Sequence, residues 1–156
     1  MSDLVSIDEQ TTRIMRHLVA TIAYRSKLAL KDAPVGFEDQ HLADGAMSAA
    51  ELVNHMAMVL GYCRGRLTQG ERVAFDRLEW GGEVERFYQV LNDIDTALAS
   101  GAKLSDGEDL KMVQGPLADT FTHIGQLSTL RRAAGSPVPG TNFIKAEITV
   151  GNYAID

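Results

Sequence analysis

Cysteine is nearly missing from this chain of 156 residues. Cys63 stands alone, so no intramolecular disulfide framework exists and no thiolate cluster can hold a metal. Any metal has to be bound through nitrogen and oxygen. Basic residues are outnumbered, 15 Lys and Arg against 21 Asp and Glu, and the net charge of -6 has the wrong sign for a surface that neutralises phosphates. Nucleic acid is therefore not an expected partner. Long apolar runs are lacking too: none approaches the ~20 residues that span a bilayer, and the start, MSDLVSIDEQTTR, has no basic segment followed by an apolar one. The expectation is a cytoplasmic protein with no membrane partner. What remains is a length typical of one domain with 45% hydrophobic residues, enough to fill one core. A single domain over residues 1–156 is expected.

Only four prolines punctuate the chain, and helical periodicity stops around them. From Ile7 to Lys31 the apolar residues Ile14, Leu18, Ile22 and Ala29 recur at helical spacing until Ala33-Pro34 ends the pattern. Residues 34–47 hold Pro34, Gly36 and Gly45 without a sustained period and read as a long crossover loop. Ser48-Ala-Ala-Glu51 has the spacing of a capping box and opens a second helix that runs to about Thr68. Gly81-Gly82 is read as a further break, after which Val84, Phe87, Leu91, Ile94 and Leu98 step by three and four along a third helix ended by Gly101. A short helical segment, Asp106 to Val113, precedes Gly115-Pro116, and the proline is placed in the first turn of a fourth helix that Gly135 stops. The remainder, with prolines and β-branched residues, is expected as an extended tail on the bundle. No repeat or strand–helix alternation is visible. The fold class that follows is all-α: four amphipathic helices, a long crossover loop and an extended C-terminal tail.

On the fourth helix His123 lies within an apolar arc with Leu127 and Leu130, and Asp119 sits one turn earlier on the same face. His55 occupies the shoulder of the second helix's stripe of Leu52, Met56, Val59 and Cys63, where it can face the same cavity. Two imidazoles and a carboxylate from two facing helices can hold zinc, iron, nickel or manganese with positions left open for water or substrate. The plainer alternative is a helix-stabilising pair in which Asp119 satisfies the His123 ring. Arg25 falls on the first helix's apolar stripe, where a charge needs a partner. It is a candidate for receiving an anionic substrate group; the competing readings are a pair with Asp119 or a side chain snorkelling to the bundle end. His17 and Tyr24, seven residues apart on one flank, read as a cavity wall or an interface. Cys63 reads as a small buried hydrophobe, and Arg131-Arg132 as a complement to the helix dipole. Phe75, Trp80, Phe143 and Tyr153 are assigned to core, tail docking or subunit contact.

The segment Asp119-Thr-Phe-Thr-His123-Ile-Gly125-Gln126-Leu127-Ser-Thr-Leu130-Arg131-Arg132-Ala-Ala-Gly135 resembles the last-helix signature of the DinB/YfiT-like metalloenzyme superfamily. Glu51-Leu52-Val53-Asn54-His55 is similar to that family's second-helix ligand segment, and Asn142-Phe143-Ile144-Lys145-Ala146-Glu147-Ile148 to its closing segment. The resemblance implies a DinB-like four-helix bundle and a divalent-metal site made of one histidine from the second helix and an H-x-x-x-H pair on the fourth. His55 and His123 match two of these positions, while Asp119 replaces the first histidine of the pair. It further implies a metal-dependent enzyme, a transferase or a hydrolase acting on a small molecule, with a low-molecular-weight thiol as a co-substrate of relatives. A non-catalytic helical binding or stress-associated protein that has lost the metal is the alternative, favoured by the aspartate. Apolar flanks beyond the needs of one core add the expectation of a homodimer.

Overall fold

The computed structural model describes residues 3–70 and 76–155; Phe75 lies outside them. Four long helices carry the chain: α1 (Glu9–Leu30), α2 (Ala49–Thr68), α3 (Trp80–Ala99) and, after the short α4 (Glu108–Met112), α5 (Ala118–Ala133). They pack in a ring, α1 against α3 and α5, and α2 against the same two, so α1 and α2 stand diagonally across one shared core. The crossover read from residues 34–47 makes that diagonal step, with a single 3-10 turn at Phe37–Asp39. The class is all-α, as expected.

Local chemistry sets the helix ends. Asp8 caps α1 by accepting the Thr11 N–H at 2.9 Å. The capping box of α2 forms as read: Ser48 Oγ accepts from Glu51 N at 3.2 Å and Glu51 Oε2 from Ser48 N at 2.7 Å. Gly101 and Gly135 adopt positive φ just past α3 and α5, where only a residue without Cβ turns freely. Val84, Phe87, Leu91, Ile94 and Leu98 are all buried, so the α3 seam is the one read from spacing.

Three expectations are corrected. Gly81-Gly82 does not break the chain but lies inside the first turn of α3. The fully buried Glu83 carboxylate reaches back to the Leu78 N–H at 2.7 Å and also accepts from Asn54 and Arg86, which secures the helix start despite the glycines. Gly82 also packs closely, since a Cβ there would stand 3.3 Å from that of Leu78 and make it give by a few tenths of an ångström. Pro116 does not open a new helix: a π turn over Val113–Leu117 joins α4 to α5 in one helical run. The wider spiral moves the carbonyl four residues back away from the pyrrolidine ring and tolerates its missing N–H. The core stripe of α1 is turned by about one residue: Met15, Val19, Ile22, Ala23 and Ser26 are buried, whereas Ile14 is 53% exposed and Leu18 only partly covered. Arg25 consequently sits on the flank and not in the core.

Two three-residue strands, Leu4–Ser6 (β1) and Lys103–Ser105 (β2), pair antiparallel with Val5 opposite Leu104; neither was read from the sequence. The tail has no strand among its described residues but does lie on the bundle, where Tyr153 is buried and its phenol is pushed up by burial and by the neighbouring Asp95 carboxylate. Asp95 itself takes a two-pronged bond from Arg16 at 2.7 and 3.0 Å. Cys63 is buried as expected, and burial pushes its thiol up to about 12.

Arg131 does more than complement a dipole. It is 6% exposed and donates to Ala29 O and Lys31 O at 3.0 and 2.9 Å, and to Ser136 O and Oγ, both at 2.9 Å. The exits of α1 and α5 are thereby fastened together. Replacing it, Arg131→Met, strands those carbonyls and is expected to cost about 2–4 kcal/mol. A lower urea midpoint with unchanged slope reads this; a loss under about 0.5 kcal/mol would return Arg131 to a dipole role.

Candidate metal centre

α2 and α5 are neighbours in the ring, and His55 projects from the first half of α2 toward the first two turns of α5. There the i, i+4 spacing sets Asp119 and His123 side by side. Asp119 Oδ2 lies 3.3 Å from His55 Nε2 and 3.3 Å from His123 Nε2. The two imidazoles meet edge to face, with centroids 4.7 Å apart and planes at 85°. One ligand atom from each residue falls within 4.8 Å of the other two. The three residues singled out in the sequence as a metal set are brought together.

Protonation logic gives this cluster its chemical meaning. His123 Nδ1 stands 2.6 Å from Gln126 Oε1, and an amide oxygen only accepts, so the ring proton belongs on Nδ1. Neutral His123 then turns a lone pair on Nε2 toward a carboxylate oxygen at 3.3 Å. Two acceptors face each other, an arrangement that requires either a second ring proton or a cation between them. An ion bonded to both at about 2.1 Å would hold them about 3.0–3.4 Å apart, and the observed separation falls in that interval. Gln126 meanwhile occupies the place of the outer partner that metal-bound histidines use to fix ring orientation. The donor set fits a divalent ion.

No family model, curated protein or solved structure matches this chain. What the site can do is therefore argued from its own atoms.

Burial grades across the cluster. His123 is nearly enclosed, whereas His55 and Asp119 keep side-chain exposures of 37% and 43%, so one side stays open. That side meets a cleft of about 580 Å³ along the α2–α5 seam, lined among others by Val59, Tyr62, Gln114, Asp119 and Thr122. An open flank beside a cleft of this size leaves room for a small molecule next to Asp119.

Arg25 is placed elsewhere. Its guanidinium stacks on the Phe143 ring at 3.8 Å, with Phe121 at 5.8 Å, and among the described residues it makes no ion pair with Asp119. It clamps the tail to α1 and α5 instead. His17 is exposed and lines a groove with Ile14 and Val150, and Tyr24 lines another with Glu147, consistent with wall positions. Gln126 and Tyr62 escaped the sequence reading, although each has a spacing signal: Gln126 is three residues after His123, and Tyr62 is seven after His55.

The role of Gln126 is open to measurement. Gln126→Ala frees the His123 ring and should weaken zinc binding about 10- to 100-fold in competition with a chromophoric chelator. Unchanged affinity would remove Gln126 from the centre.

Proposed function

We propose that the chain binds a divalent metal ion through His55, Asp119 and His123 and uses it in chemistry on a small molecule, as a DinB-like four-helix bundle enzyme. The observation that carries this is the pair of acceptors, His123 Nε2 and Asp119 Oδ2, held 3.3 Å apart while Gln126 claims the other ring proton. The ring of four helices and the crossover between diagonal helices support the bundle kind, and the resemblance in the α2 and α5 segments supports the family.

When bound, a divalent ion supplies Lewis acidity that lowers the pKa of water or a thiol. The residues of this chain orient and enclose. Gln126 holds His123 with Nε2 forward, the bundle core shields that ring, and the exposed flank of His55 and Asp119 admits the reactant. Transfer involving a low-molecular-weight thiol, or hydrolysis, belongs to this proposal by family resemblance; Cys63 is too deeply buried to provide the thiol itself. A cytoplasmic setting is also proposed; no described helix is long and apolar enough to cross a membrane.

A second reading has its own observation. A doubly protonated His123 ring also satisfies Asp119 at 3.3 Å, which leaves a metal-free helical binding protein. Elemental analysis of protein purified without chelator or metal-affinity tag separates the two. We expect one divalent ion per chain, abolished by His55→Ala and by His123→Ala; no metal bound or taken up on addition would leave the metal-free reading standing. The homodimer is supported by Ile14, exposed beside His17 on the outer face of α1, in a groove shared with Val150 of the tail. Light scattering at micromolar concentration should give twice the chain mass, and a monomer would overturn it.

A further inference from the structure

The cleft beside the centre has a hydrogen-bonding polarity of its own. Tyr62, on the α2 face that carries His55 and Val59, lines it from one side, and Thr122 from α5 on the other. Seven residues of helix separate His55 from Tyr62, about 10 Å along the axis. The chamber therefore runs from the Asp119 end to a Tyr62 end.

Both hydroxyls have committed their protons. Tyr62 Oη donates to Glu108 Oε2 at 3.2 Å, and Thr122 Oγ1 donates to Ala118 O at 3.3 Å. Glu108 cannot return the proton, because Lys111 at 3.1 Å and the Tyr62 hydroxyl hold its carboxyl below the usual carboxylate range. What Tyr62 and Thr122 can offer a ligand is thus an acceptor lone pair. Charge selects further. Arg66 Nε and Lys111 Nζ, each 3.1 Å from a Glu108 oxygen, hold that carboxylate in place behind Tyr62, and the charged side chain that lines the cleft itself is Asp119, which repels an anion. An anion would bring lone pairs against lone pairs.

We propose that this cleft is a ligand site for a hydroxyl-bearing small molecule without negative charge, whose O–H groups donate to Tyr62 and Thr122. Its reactive end would lie at Asp119. That placement rests on the metal reading, whereas the acceptor character of the cleft does not.

The test uses ribitol and its pentamethyl ether as probes, titrated by NMR into zinc-treated and chelator-treated full chain. Ribitol is expected to bind in both samples, with the ether weaker. Tyr62→Phe and Thr122→Val keep side-chain shape, and each should weaken ribitol about threefold to tenfold; circular dichroism and thermal melting confirm that both variants fold. Undiminished binding of ribitol to the two variants, or equal binding of the ether, overturns the proposal, as does no binding of ribitol. Zinc uptake is measured on the same samples. Ribitol binding without zinc uptake removes the metal reading alone, and zinc uptake with ribitol binding indifferent to Tyr62 and Thr122 removes this one alone.

Discussion

A buried guanidinium holds the bundle to one arrangement. Arg131 has four of its donor contacts met by the backbone and Ser136 at the exits of α1 and α5, and a cation taken out of water tolerates few packings that meet them all. Apolar side chains alone would allow α5 to roll or slide at modest cost, since cores accept many fillings of the right volume. Arg131 removes that freedom at one end of the helix, and the π turn carrying Pro116 removes it at the other. Between these two fixed points lie Asp119 and His123, whose orientation toward α2 is a property of the whole helix.

Much of the helical framework is legible in the residues because its signals are local. A capping box satisfies its own backbone within four residues, and a glycine with positive φ ends a helix wherever it stands. Where legibility failed, a distant group intervened. Gly81-Gly82 looks like a break until Glu83 folds back onto the Leu78 N–H. Pro116 looks like a start until the spiral widens around it. The α1 stripe was read one residue off because Ile14 and Leu18 are apolar but face outward, and that small rotation moved Arg25 from the core to the Phe143 ring.

The site divides along the same line. Asp119 and His123 are one helical turn apart, so their shared face is written in the spacing. That His55 joins them depends on α2 and α5 being neighbours in the ring, which no spacing within one helix reveals; its place on the α2 stripe allows that expectation and the family resemblance adds to it. Tyr62 and Gln126 gain their meaning only from partners, Glu108 and the His123 ring, whose positions tertiary packing decides.

The strand pair Leu4–Ser6 with Lys103–Ser105 also bears on how the chain assembles. Three helices separate β1 from its partner β2 in the chain, and α1 lies further still from α5 and Arg131, so both contacts close long loops. Until those loops close, α1 has an uncovered apolar face and its exit carbonyls lack their cation. Docking of α5 against α1 and α2 completes the ring, and the same contact brings Asp119 and His123 up to His55.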